Sequence, residues 1–125
     1  MNKELYDKGM AVRRAVVGDT YVDASLKNAD EFSTPMQELV TEFCWGEVWT
    51  RPDLDRRSRS ILNLGMIAAL NRPDELAVHV RGAINNGVTK AEIRECFLQV
   101  AVYCGMPAGL GCFKIARQVF KEMGI

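Results

Sequence analysis

The chain contains a single histidine, His79, in a stretch that reads as a helix between Asn71 and Thr89. Glu75 precedes the histidine by four residues, which places the two side chains one turn apart on the same helix edge. An imidazole beside a carboxylate is suited to acid–base chemistry near neutral pH. A lone histidine at a helix margin can equally be a structural hydrogen-bonding group, and the residues alone leave both interpretations open.

A second group of chemically capable residues is WGEVWTR, which spans residues 45–51. If the preceding helix continues through it, Glu47 falls within the apolar stripe, while Trp45 and Trp49 lie on the opposite face. A carboxylate that points at a core is costly unless it is paired or protonated, so Glu47 is a candidate site residue. The alternative is that Gly46 breaks the helix and reorients the residues after it. In either case the two tryptophans and Arg51 predict a ligand-binding wall or a subunit contact.

Helix start and stop signals recur along the chain, and no alternating strand pattern accompanies them. Two capping boxes are predicted, one at Thr34 and one at Thr89. We therefore predict an all-α fold, with residues 1–125 forming a single domain of six or seven helices. The predicted helices run from Lys3 to Val17, Tyr21 to Ala29, Thr34 through the tryptophans, about Asp55 to Asn71, Pro73 to Asn85, Lys90 to Tyr103, and about Ala108 to Met123.

Apolar periodicity assigns a buried side to several of these helices. The third helix has a predicted core stripe of four residues, Met36, Leu39, Val40 and Phe43. Residues 61–70 are apolar nearly all round, which predicts a central, buried helix. The helix that begins at Lys90 carries Leu98 and Val102 outside its core side, which indicates a further helix or another subunit as their neighbour.

The four cysteines form no C-x-x-C pair, so neither a zinc ribbon nor a thioredoxin-type motif is predicted. With one histidine, a metal site built from protein ligands alone is not expected. Cys104 and Cys112 fall on predicted apolar faces and are interpreted as packing residues. The reactivity of Cys96 stays open.

Sixteen basic and sixteen acidic residues cancel, and no run of like charge suggests nucleic acid or an anionic membrane as a partner. The least polar run is too short to span a bilayer, and the first residues lack the apolar segment of a signal peptide, so a cytoplasmic protein is expected. Arg56, Arg57 and Arg59 crowd a helix start, where cations are unfavourable. They require carboxylate partners from the local surface, a neighbouring subunit or a bound acid.

Three segments together resemble a known family. They are WGEVWTRPDLDRRSRS, NRPDELAVHVRGAINNGVTKAEIRE and VYCGMPAG, accompanied by RRAVVGDTYVD near the start. With them, nearly the whole chain resembles the 4-carboxymuconolactone decarboxylase family. The resemblance implies the all-helical fold of the alkylhydroperoxidase D-like proteins. It also implies a ring-like homo-oligomer, often a hexamer, with sites near the subunit contacts.

The chemistry that the resemblance implies is cofactor-free decarboxylation of 4-carboxymuconolactone, or a related lactone acid, to the 3-oxoadipate enol-lactone in aromatic catabolism. The lactone accepts the electrons, so the enzyme has to bind carboxylates, stabilise an oxyanion and return a proton. We expect His79 to stabilise or protonate the dienolate, and Glu47 or Glu75 to orient it or shuttle the proton. The expected substrate-binding residues are Arg51, Trp45 and Trp49, with the arginine binding a carboxylate.

Two alternatives to this function remain. The resemblance implies redox relatives in which the second cysteine of a C-x-x-C motif lies four residues before a histidine. In this chain the positions of the two motif cysteines hold Arg72 and Glu75, ahead of His79. A peroxidase-like or peroxiredoxin-like thiol oxidoreductase would therefore need Cys96, Cys104 or Cys112 to be accessible and of low pKa. The other alternative is a non-catalytic oligomer that binds a small acid.

Overall fold

The computed structural model describes all 125 residues, and all regular secondary structure is helical, as predicted. The chain divides into two compact units, Met1–Asp55 and Arg56–Ile125. The organisation of residues 1–125 as one domain stays a prediction. The helices are α1 Lys3–Val17, α2 Asp19–Lys27, α3 Thr34–Leu39 with its π-helical continuation Val40–Val48, α4 Arg56–Ala69, α5 Pro73–Asn85, α6 Lys90–Cys104 and α7 Met106–Met123. None of them is both long and apolar enough to cross a membrane.

The first unit is organised by the packing of α1 against the π-helical segment. Asn2 caps α1 by accepting a hydrogen bond from the Leu5 amide at 3.0 Å, and Gly18 ends it with φ 91°. Two glycines allow the backbones to approach closely. A Cβ atom at Gly9 would lie 2.0 Å from the Thr41 carbonyl oxygen, and one at Gly46 would lie 2.6 Å from the Leu5 carbonyl oxygen.

The π-helical geometry of residues 40–48 reverses the side-chain placement that an α-helix predicts. The Trp49 amide donates to the Cys44 carbonyl oxygen five residues back, at 3.0 Å, so Gly46 does not break the helix. Wider turns bring residues four and five apart to one side, in place of residues three and four. Trp45 and Trp49 are consequently buried, and Glu47 is exposed. The expectation that Glu47 points at the core was wrong.

The prediction that the third helix buries a stripe of four apolar residues was also wrong. Its large apolar residues are mostly in solvent, at 61% exposure for Met36, 57% for Leu39 and 60% for Phe43. The predicted capping box at Thr34 was also wrong. Ser33 precedes the helix and exchanges hydrogen bonds with Asp30.

The second unit packs α4 to α7 around one apolar core, whose fully buried side chains include Leu64, Val80 and Phe97. The predicted capping box at Thr89 is confirmed, with Glu92 as its partner. Glu92 also forms an ion pair with Arg57, which joins the start of α6 to the start of α4. At least one cation of the arginine cluster therefore has a carboxylate partner on the local surface.

Three details of the second unit concern its surface. Residues 61–70 are buried on one side only, because Leu62, Met66 and Leu70 are exposed, so the prediction of all-round burial was wrong. Leu98 and Val102 lie outside the core side of α6, as predicted, and both are exposed, so another subunit as their neighbour stays a prediction. Cys112 is buried as predicted, whereas Cys104 is exposed because it ends α6, beyond the packed part of the helix.

Candidate active site

His79 is positioned by α5, an amphipathic helix with local signals at its start. Pro73 occupies the first turn, where no intrahelical donor is lost, and Asp74 and Glu75 favour the positive helix terminus. Leu76 and Val80 bury the core face on either side of the histidine. The imidazole is therefore held on a helix margin, half-buried, as the periodicity predicts.

The electrostatics of His79 are set by burial and by one carboxylate. Burial lowers the pKa of His79 below its ordinary value of 6.5, because the cationic form loses hydration, and the charge of Glu75 opposes this shift. The Nδ1 atom is buried, and Glu75 itself is exposed. At neutral pH the ring is mainly neutral. In that state it can donate one hydrogen bond and accept another.

The end of α5 is held against α4 by a polar contact. Asn86, which follows the last residue of α5, donates a hydrogen bond from Nδ2 to Oγ of the fully buried Ser60, at 2.9 Å. Val88 and Ala83 bury the adjacent apolar surface. The helix that carries His79 is thus fixed by side-chain packing and by a buried hydrogen bond, which suits a group that has to meet a substrate in one orientation.

The tryptophan segment in the first unit forms an aromatic pair. The ring centroids of Trp45 and Trp49 are 4.7 Å apart, the planes are tilted by 31°, and each residue is 5% exposed. This separation is within the favourable range for aromatic pairs. Arg51 follows the end of the helix and is exposed, and its amide donates to the Val48 carbonyl oxygen at 3.1 Å. The structure brings the two tryptophans together and leaves Glu47 in solvent.

Sequence reasoning missed Arg13 on α1. The residue is only 4% exposed, and its guanidinium donates to Oγ1 of Thr41 at 3.2 Å. Burial lowers the pKa of Arg13. Burial raises the pKa of the Cys44 thiol, and the nearby charge of Arg13 opposes that shift. The signal was present, since Gly9, Arg13 and Val17 recur every four residues on the buried face of α1.

Three of the four thiols lack the environment of an activated nucleophile. Burial raises the pKa of Cys44, Cys96 and Cys112, which disfavours the reactive thiolate. Cys104 is exposed, and all four cysteines are free. No group of three histidine, cysteine or acidic residues is arranged to hold a metal ion. The raised pKa values weigh against the thiol oxidoreductase alternative.

Comparison with known proteins defines the class to which this all-helical chain with its single histidine belongs. The profile of the carboxymuconolactone decarboxylase family matches residues 34–118. The chain belongs to this family, which confirms the resemblance seen in its sequence.

Relatives within the family carry more specific names. The chain is 47% identical over 123 residues to the nitrosuccinic acid decarboxylase of Metarhizium robertsii, covering 98% of this chain and 86% of the relative. It is 41% identical over 124 residues to the 4-carboxymuconolactone decarboxylase of Acinetobacter baylyi, covering 99% and 92%. A 4-carboxymuconolactone decarboxylase of Pseudomonas putida is 44% identical over 45 residues, which cover 36% of this chain and 94% of the relative.

Proposed function

We propose that this protein is a cytoplasmic decarboxylase that removes CO₂ from 4-carboxymuconolactone, or a related lactone acid, without a cofactor. The observation that carries the proposal is His79, a half-buried imidazole whose pKa is lowered by burial and modulated by Glu75. Membership of the carboxymuconolactone decarboxylase family and the similarity to the Acinetobacter enzyme support the reaction class.

The reaction requires three contributions from the protein. The bond to the departing carboxylate breaks, and its electron pair moves through the ring double bond onto the lactone carbonyl oxygen, giving a dienolate and CO₂. A proton then adds to carbon to form the enol-lactone. The protein has to hold the remaining carboxylate, stabilise the oxyanion and supply the proton.

His79 is suited to the oxyanion and to the proton. As a neutral ring it can donate an N–H hydrogen bond to the developing oxyanion, and a preorganised donor in a partly desolvated site is effective there. A dianionic substrate raises the pKa of a nearby imidazole, so the bound complex can also hold the proton that carbon receives. Because Glu75 acts on the pKa of His79, we assign the orienting role to Glu75 rather than to Glu47.

The substrate-binding roles are proposed for Arg51 and the two tryptophans that precede it. We propose that Arg51 binds a substrate carboxylate, since its guanidinium can form two parallel hydrogen bonds with one carboxylate. Trp45 and Trp49 would border the substrate only at a ring edge, since each is 5% exposed, and their pairing would fix the end of the helix that Arg51 follows. Arg51→Lys should raise KM more than it lowers kcat, because the lysine retains the charge but loses the bidentate geometry.

Nitrosuccinic acid is a second candidate substrate, favoured by the 47% identity to the Metarhizium relative. As a compound it also has two carboxylates, and its nitro group can accept the electron pair that CO₂ leaves behind. The same three contributions would then act on a nitronate in place of a dienolate. Measuring kcat/KM for both acids with the same preparation decides between them.

The central experiment compares His79→Gln with the unmodified protein, with folding verified by circular dichroism. Loss of a preorganised donor is expected to lower kcat by about 100- to 1,000-fold. Glu75→Gln should cause a smaller loss, and Asp74→Asn, a neighbouring exposed acid on the same helix turn, serves as its matched control. Unaltered turnover in His79→Gln would remove the histidine from the mechanism. Saturable binding of the lactone without turnover in the unmodified protein would favour the non-catalytic alternative.

We also propose that the chain works as a homo-oligomer, with six subunits as the family resemblance implies. The exposed apolar residues of the third helix support this, because Phe43 at 60% and Met36 at 61% exposure are unusual in an isolated chain. Phe43→Ser is expected to lower the mass measured by light scattering, whereas Glu47→Ser in the same helical segment should leave it unchanged. An unchanged mass in both variants would place the subunit contact elsewhere.

A further inference from the structure

A cavity of about 490 Å³ lies between α6 and α7, in the second unit. Its volume is within the range of small-molecule pockets, roughly 300–1,000 Å³. His79 and Glu75 do not line it, so it is distinct from the candidate active site.

Aromatic residues form much of the apolar lining of this cavity. Phe97 is fully buried, and Phe113 packs against it edge to face, with ring centroids 6.3 Å apart. Phe120 lies beside them on α7 and is half-buried. Because Phe97 has no exposed surface, the half-buried Phe113 and Phe120 rings are the aromatic surfaces that a ligand can contact, and they favour a flat apolar body.

Four cations line the same cavity, Lys90 and Arg94 from α6 and Arg117 and Lys121 from α7, and no acidic residue lines it. All four are exposed residues, so they form a rim. The Lys90 ammonium lies 5.1 Å from the centre of the Phe120 ring, which ties this rim to the aromatic lining. Arg94 also pairs with Glu95, with its Nε atom 3.3 Å from a carboxylate oxygen.

We propose that this cavity is a second binding site, which takes an aromatic carboxylate. The flat ring would occupy the phenylalanine-lined space, and the carboxylate would pair with the cationic rim, where Arg117 and Lys121 provide charge-assisted hydrogen bonds. This site is independent of the decarboxylase reaction, since it shares no residue with the proposed catalytic or substrate-binding groups.

Calorimetric titration with naphthoate and with its neutral counterpart naphthamide tests the proposal on the whole protein. Naphthoate is expected to bind at least about tenfold more tightly than naphthamide, because only the acid can use the rim. The double variant Arg117→Gln/Lys121→Gln should weaken naphthoate binding by about ten- to thirtyfold, the combined effect of losing two solvent-exposed charge pairs. Both substitutions are at exposed positions of a packed helix, so folding is not at risk.

Two control variants locate the site. Lys114→Gln removes a charge from the same helix at an exposed position that does not line the cavity, and it should change the dissociation constant by less than about twofold. His79→Gln should leave naphthoate binding unchanged, which separates this site from the active site whether or not the protein proves to be a decarboxylase.

Several results would overturn the proposal. They are absence of naphthoate binding, equal affinity for the acid and the amide, an unaffected double variant, or loss of binding in His79→Gln. A double variant that loses binding and also changes its mass by light scattering would show that the rim is a subunit contact, and it would overturn the proposal as well.

Discussion

Replacing Gly9 with alanine is expected to force α1 away from the π-helical segment that holds the tryptophan pair. Gly9 is buried, and a Cβ atom there would lie 2.0 Å from the Thr41 carbonyl oxygen and 2.8 Å from the Gly46 nitrogen. Both are backbone atoms, so no side-chain rotation relieves the overlap. The two helical backbones themselves have to separate.

The size of the effect follows from these distances. Ordinary Cβ contacts begin at 3.4 Å, so the carbonyl of Thr41 and the new methyl group have to move apart by about 1.4 Å. Overpacking of a close-packed contact typically costs about 1–3 kcal/mol and occasionally more, and the forced separation of two backbones places the cost here at about 3–5 kcal/mol. The better helix propensity of alanine offsets about 1 kcal/mol of this. A net loss of about 2–4 kcal/mol corresponds to a fall in Tm of roughly 10 °C in a chain of this size.

Thermal unfolding is followed by tryptophan fluorescence, which reports on the first unit because both tryptophans lie there, and by circular dichroism, which reports on the helices of both units. Gly65→Ala is the matched control, since Gly65 is inside α4 and a Cβ atom there would meet nothing within 4 Å. The control is expected to be neutral or to gain up to about 1 kcal/mol from the loss of backbone freedom in the unfolded chain. A Tm of Gly9→Ala within the error of the unmodified protein would refute the close approach of the two helices.

Three further predictions concern titration and reactivity. In Glu75→Gln the pKa of His79 should fall further, because the carboxylate that opposes the effect of burial is gone, and the resonance of the single histidine in an NMR titration measures this directly. An unchanged or higher pKa would contradict the coupling. Because its pKa is lowered by folding, His79 binds fewer protons in the folded than in the unfolded chain. Its contribution to the free energy of unfolding is therefore complete above the unfolded pKa of about 6.5 and is lost as pH falls through the folded pKa. Urea unfolding at a series of pH values should show His79→Gln losing less stability on acidification than the unmodified protein, and parallel curves would oppose this. Thiol labelling of the native protein should show one fast-reacting cysteine, because Cys104 is exposed and burial raises the pKa of the other three thiols. This fast reaction should be absent in Cys104→Ser. Several fast-reacting thiols would support the redox alternative.

Local signals were sufficient for most of the second unit. Pro73, the acidic first turn of α5 and the capping box at Thr89 act within a few residues of chain, so their consequences can be inferred without knowing the fold. The helix margin occupied by His79 follows from the regular period of α5 in the same way. The match to the carboxymuconolactone decarboxylase family also rests on segments visible in the sequence.

The first unit depended on tertiary structure, because its third helix changes period from α to π at Val40. This change of period lies where Gly9 and Gly46 allow the backbones of α1 and the π-helical segment to approach closely. It buries the tryptophan pair and exposes Glu47 to solvent. The sequence by itself determined which residues are chemically capable, the all-helical class and the family. Only the tertiary structure decided which of those residues are buried and how the pKa of His79 is shifted, since desolvation depends on neighbours that are distant along the chain.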